Sequence, residues 1–154
     1  MMIRRSLALI LALPFLLAAN SPAPALSAYV GKYPFDKVQG IAFTRHPVVV
    51  RQVQAAVQSS AIQSRVLDPD STAGSIARQG DFIVSWACEP HNCGFHHWSI
   101  VLTGSGRKAA VCYYNEDLTA GARWFVDGSV RFVDSEGNCE VETVPAAVAL
   151  MLVQ

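Results

Sequence analysis

The side chains best suited to chemistry in this sequence are gathered in Cys88-Glu89-Pro90-His91-Asn92-Cys93. Two sulfurs bracket a carboxylate, a proline, an imidazole and a carboxamide. If the cysteines pair, they tie off a short loop, Pro90 removes more of its freedom, and His91 is left at or near the tip. A closed, stiff, polar loop loses little entropy on entering another molecule's cleft, so binding is the chemistry it suits best. Three other chemistries use the same residue types. Zinc would take Cys88, Cys93, His96 and His97, with His91 as a further ligand, but a four-residue gap followed by adjacent histidines is a poor match to zinc-ligand spacing. Dithiol redox centres use a two-residue gap. A Cys/His hydrolase needs a free thiolate, which a bridged cysteine cannot supply. The sequence therefore predicts no catalytic residue, no metal ligand and no cofactor, with a metal-binding or redox protein as the competing class.

The compartment decides how the cysteines are read. Arg4 and Arg5 precede an apolar run, Ser6 to Ala19, interrupted by Pro14, and residues 20–28 are small and polar. That order is a secretory signal, and the run falls short of the ~20 residues that span a bilayer. Cleavage is expected after Ala25 or after Ala28, with no nearby cysteine to carry a lipid. The expected organisation is a signal peptide, 1–28, and one domain, 29–154. Loss of Arg4 and Arg5 from twelve basic and twelve acidic residues leaves a net charge of −2. Without a basic stripe, nucleic acid is not an expected partner. Nor is a membrane once the signal is removed, and a weakly acidic surface favours a basic partner. All four cysteines lie in the exported part, where disulfides are favoured. Four allow three pairings. The local bridge Cys88–Cys93 is preferred, which leaves Cys112–Cys139. Chain entropy assigns about 2 kcal/mol to the small loop and about 3.5 kcal/mol to the large one.

The elements that must position the loop follow from periodicity. Val49, Val50, Val53 and Val57 recur at helical spacing, predicting a helix from His46 to about Ser60, with Thr44 as its cap and Pro47 in its first turn. Phe82 to Ala87, Trp98 to Leu102 and Ala109 to Tyr114 read as strands, the last two as a hairpin about Gly104-Ser105-Gly106. Arg123 to Val126 and Val130 to Val133 flank Asp127-Gly128, a strong tight-turn signal. Val144 to Val153 reads as a closing helix behind Pro145. Antiparallel strands flanked by helices make an α+β domain with about five strands. Trp86, Trp98 and Trp124 are expected in the core. His96 and His97 are expected to straddle a strand edge, one inward and one outward. Asn115-Glu116-Asp117 reads as a solvated turn, and His46 as helix-entry chemistry. The cysteine loop then crosses from strand to strand at one end of the sheet, anchored at both ends.

Trp86-Ala87-Cys88-Glu89-Pro90-His91-Asn92-Cys93-Gly94, followed by His97-Trp98-Ser99-Ile100-Val101, resembles the signature region of the Ivy family of periplasmic inhibitors of vertebrate lysozyme. The family loop reads Cys-Lys-Pro-His-Asp-Cys. Both cysteines, the proline and the histidine are kept, while Glu89 replaces lysine and Asn92 replaces aspartate. The resemblance implies a periplasmic protein with a small antiparallel sheet backed by helices. It also implies a disulfide-closed loop (Glu89, Pro90, His91 and Asn92) that plugs the active-site cleft of a C-type lysozyme. His91 matches the histidine that reaches the catalytic carboxylates. An imidazole between two such carboxylates donates a charge-assisted hydrogen bond and disturbs their acid/base division of labour. The expected protein is not an enzyme. Its partner is C-type lysozyme or another peptidoglycan-cleaving glycosidase, such as a lytic transglycosylase, and a homodimer is compatible with the family. A relative that has lost lysozyme inhibition fits the same two replacements.

Overall fold

The computed structural model describes residues 22–117, 121–135 and 137–154. The charged and apolar parts of the expected export signal, Arg4 to Ala19, lie outside the described residues. Among the described residues, nine strands and three α-helices follow in the order β1 (Lys37–Val38), β2 (Ile41–Ala42), α1 (Pro47–Ala56), α2 (Ser60–Val66), β3 (Thr72–Ala73), β4 (Ala77–Gln79), β5 (Phe82–Cys88), β6 (His96–Thr103), β7 (Ala109–Asn115), β8 (Ala122–Val126), β9 (Ser129–Asp134) and α3 (Ala146–Val153). Strands β1 and β2 form a small hairpin, and the other seven form one sheet. The class is α+β, as the patterning predicts. The strand count exceeds the expected five. The five long strands form the antiparallel meander β5-β6-β7-β8-β9, and β3 and β4 share the outer edge of β5. Elements of two or three residues are too short to show the alternation by which a strand is read.

Both faces of the sheet are covered. On one, Trp98, Ile100 and Leu102 of β6 meet Val49 and Val53 of α1, together with Tyr29 and Phe43. On the other, Val101, Ala110 and Trp124 meet Val148 and Leu152 of α3. A central strand sandwiched in this way is apolar on both sides and buries nearly every residue. That corrects the expectation for His96 and His97. They do point to opposite faces, but β6 is central, and they are 6 % and 4 % exposed. Trp98 and Trp124 are core residues as expected, whereas Trp86 is only half-buried.

Helix α1 buries Val49 and Val53 of the predicted valine face, each stabilising by about 1.5–3 kcal/mol, while Val50 is half-buried. Its ends differ from expectation. His46, not Thr44, is the N-cap: its Nδ1 accepts from the Val48 N–H at 3.2 Å, and its Nε2 donates to the Pro24 carbonyl at 2.9 Å. Thr44 lies one turn earlier in a 3-10 segment, Phe43–Arg45, with a buried hydroxyl that has no partner among the described residues. The helix stops at Ala56, whose carbonyl accepts from the Gly128 N–H of the β8–β9 turn at 3.1 Å. Val57 turns extended and stays fully buried, and Ser59 then caps α2 through its hydroxyl. The chain thus keeps the valine in the core while redirecting the backbone. Asp127 and Gly128 both have positive φ, 50° and 80°, as a two-residue hairpin turn of primed type requires. Among the described residues no helix is long and apolar enough to cross a membrane.

Candidate functional site

The loop between β5 and β6 is closed by the Cys88–Cys93 disulfide, and Cys112–Cys139 is the second bridge, so the preferred pairing is the observed one. No described cysteine is free. The bridges have different surroundings. Cys112 and Cys139 are fully buried in the α3-side core, where the Ser99 hydroxyl also donates to the Cys139 carbonyl. Cys88 is buried at the end of β5, but Cys93 is only half-buried.

The β5–β6 ladder continues one step into the loop, with the Glu89 N–H donating to the His96 carbonyl at 3.0 Å. The Asn92 N–H then donates to the Glu89 carbonyl at 3.0 Å, so residues 89–92 form a tight turn. Pro90 occupies its second position and His91 its third, with φ 64°. A proline followed by a residue of positive φ is the order of a type II turn, which usually places glycine where His91 stands. Holding a non-glycine residue there costs on the order of 1–2 kcal/mol. Pro90 and His91 are exposed at the apex.

Glu89 and Asn92, the outer pair of the turn, do not face outward. The Asn92 carboxamide donates to Glu89 Oε2 at 2.9 Å, and His96 Nδ1 meets the same oxygen at 3.1 Å. Arg65 of α2 lies 3.6 Å from Glu89 Oε1. Asn92, His96 and Arg65 together hold the Glu89 carboxyl below its ordinary pKa. On its far side His96 Nε2 meets the Tyr113 hydroxyl at 2.6 Å. In the neutral ring with Nδ1–H donating to the carboxylate, Nε2 accepts from the tyrosine hydroxyl. A continuous chain, Asn92–Glu89–His96–Tyr113, therefore runs from the turn into the sheet. A recess of about 370 Å³ opens beside it, lined by Arg65, His96, Tyr113, Arg123 and Phe125 among others.

The opposite face holds the other root of the loop. His97 Nδ1 donates to the Cys93 carbonyl at 2.8 Å, and its ring stacks on Tyr114 with centroids 4.8 Å apart. Burial pushes the His97 pKa down, against the smaller opposing effect of that carbonyl. A neutral ring with its proton on Nδ1 leaves Nε2 as a bare acceptor. That is the cheaper orphan in a site where Nε2 has no partner among the described residues. Beyond the bridge, the Phe95 carbonyl accepts from the Glu116 N–H at 3.1 Å, and the Phe95 ring is 54 % exposed.

All four loop residues singled out in the sequence, Glu89, Pro90, His91 and Asn92, thus meet in one turn, but they divide into an inward pair and an outward pair. The metal reading loses its donors, because both cysteines are bonded and the two histidines face opposite ways. Among the described residues no cluster of three or more histidine, cysteine or acidic side chains is placed to hold a metal ion. Sequence reasoning missed Arg65, Tyr113 and Phe95 as partners of the loop. An exposed aromatic two residues past Cys93 was a usable signal, whereas nothing local links Arg65 to Glu89. Comparison with protein-family models, with curated proteins and with solved structures finds no match to this chain.

Proposed function

We propose that this chain is an exported, non-enzymatic inhibitor that plugs the active-site cleft of a C-type lysozyme with the Cys88–Cys93 loop, led by His91. The observation that carries the reading is the exposed imidazole at the apex of a turn fixed by a disulfide and two buried histidines. Such a protrusion enters a cleft already ordered, and its leading group can donate to carboxylates. The resemblance to the Ivy loop points the same way. Its two replacements, Glu89 and Asn92, are bonded to one another, so they act as one change at the turn's base. The Glu89 charge is met by Arg65 and is not offered to a target's own carboxylates. Pro90, His91 and the neighbouring Phe95 then make the contact surface.

In this reading the protein works in the periplasm after signal removal. Cleavage after Ala28 would remove Leu26 from the core, whereas cleavage after Ala25 keeps Leu26 and gives up only the Pro24 carbonyl that His46 Nε2 meets, so in this reading the mature chain begins at Leu26. Mass spectrometry of the exported protein decides between the two cuts.

Titrating the mature protein into a cell-wall lysis assay tests the function. One equivalent should abolish lysis by C-type lysozyme, and His91→Ala should restore it. Undiminished lysis at excess protein removes lysozyme as the target. A lytic transglycosylase assayed in parallel distinguishes a relative directed at another wall-cleaving enzyme, the reading that the altered loop base keeps open.

A further inference from the structure

At the end of the sheet opposite the cysteine loop lies an open groove of about 670 Å³, within the usual range for small-ligand sites. The β6–β7 turn, the start of β5 and the last turn of α3 border it. Strand β5 separates it from the loop by seven residues, roughly 20 Å. The groove has a cationic side and an apolar side. Arg78, Arg107 and Lys108 supply the first, opposed by Asp81, the sole acidic side chain among its described lining residues. Phe82, Leu152 and Val153 supply the second, and Val153 is 69 % exposed.

Both arginines are exposed, and each makes one side-chain hydrogen bond through Nε. Arg78 Nε donates to the Gly80 carbonyl at 3.1 Å, and Arg107 Nε donates to the Ser105 hydroxyl at 3.3 Å. Neither has a further partner among the described residues, so both terminal amino groups of each guanidinium remain to take an acceptor. Lys108 is shared with Asp127 at 3.8 Å. The turn that carries Arg107 is rigid. Thr103 Oγ1 accepts from the N–H groups of Arg107 and Lys108 at 3.1 and 3.3 Å, and the Gly104 N–H donates to the Asp81 carbonyl at 2.6 Å. Gly106 packs so tightly that a Cβ there would fall 2.8 Å from Val48 and 2.9 Å from Leu26. Fork-shaped guanidinium donors on the rim of such a groove suit the planar or tetrahedral oxygens of carboxylate and phosphate.

We propose that this groove binds a phosphate-bearing amphiphile, its head held by Arg78 and Arg107 and its apolar body laid against Phe82, Leu152 and Val153. The charge side alone would suit any small anion, and the apolar side alone any greasy molecule. Their juxtaposition in one groove selects a molecule with both parts. The site stands apart from the loop, so it does not depend on the inhibitor reading.

Isothermal titration of the mature protein with three monomeric probes tests the proposal: short-chain phosphatidic acid, inorganic phosphate, and the diacylglycerol of the same chain length. Saturable one-to-one binding of the phosphatidic acid is expected, at least tenfold tighter than either other probe. Arg78→Gln with Arg107→Gln should weaken it tenfold or more. Val153→Ser should weaken the amphiphile and leave inorganic phosphate unchanged. His91→Ala should bind it as the parent does. The proposal fails if no probe binds, if phosphate alone binds as tightly, if the uncharged diacylglycerol does, or if the double arginine variant keeps its affinity with an unchanged circular dichroism spectrum.

Discussion

The two disulfides close loops of very different kinds. Cys112–Cys139 spans 27 residues and joins a core strand to the segment that leads into α3, with both cysteines fully buried. Cys88–Cys93 spans five and joins the two ends of a turn that protrudes from the sheet. One fastens distant parts of the chain, and the other sets a shape. Stability and binding should therefore separate between them.

The largest effect should come from the long bridge. Replacing Cys112 and Cys139 together by alanine is expected to cost about 3.5 kcal/mol of unfolding free energy from chain entropy, with a further loss from the buried sulfur volume. Denaturant titration measures it. Where the variant is still folded, its loop should inhibit lysis as the parent does. A variant that is folded but inactive would show that the two ends of the molecule are coupled and would break the comparison.

The short bridge should behave in the opposite way. Cys88→Ala with Cys93→Ala is expected to cost about 2 kcal/mol in stability and most of the lysis inhibition, because the turn would have to be ordered on binding. Full inhibition without this bridge would mean that the Glu89–His96 chain alone holds the turn.

A smaller effect separates the apex from its scaffold. His91 sits at φ 64°, a conformation that glycine adopts freely. His91→Gly should raise stability by about 1 kcal/mol, or about 4 °C in melting temperature, while abolishing inhibition. A fall in melting temperature would show that the imidazole, exposed as it is, serves the fold.

How much of this was legible in the sequence depends on the range of the interactions. The valine spacing of α1, the Asp127-Gly128 turn and the five long strands are written locally, and each is present. The pairing of the cysteines followed from proximity along the chain. The His91 backbone was not legible, since Pro90 announces a turn without saying which residue takes the positive φ. The Arg65–Glu89 contact was not legible either, because it needs the packing of α2 against the loop. Burial of both His96 and His97 required knowing that β6 is central and covered on both faces. An alternating strand pattern does not reveal its place in the sheet.

The smallest predicted effect concerns pH, and it arises at the loop's two roots. On one face burial depresses the His97 pKa, and on the other Asn92, His96 and Arg65 depress that of Glu89. In both cases the folded state binds fewer protons than the unfolded chain, so stability rises with pH. The His97 contribution is complete above the ordinary imidazole value of ~6.5 and is lost as the pH falls through its lower folded value. The Glu89 contribution is complete above the ordinary carboxyl value of ~4.3 and is lost further into acid. Glu89 is partly exposed and screened, so its share should be the lesser. The melting temperature is therefore expected to decline first below about pH 6.5 and again below about pH 4. His97→Phe keeps a ring to stack on Tyr114 and removes the first titration. Its melting temperature should stop falling just below about pH 6.5 and keep the more acidic step. A variant that retained the first step would place that proton elsewhere in the molecule.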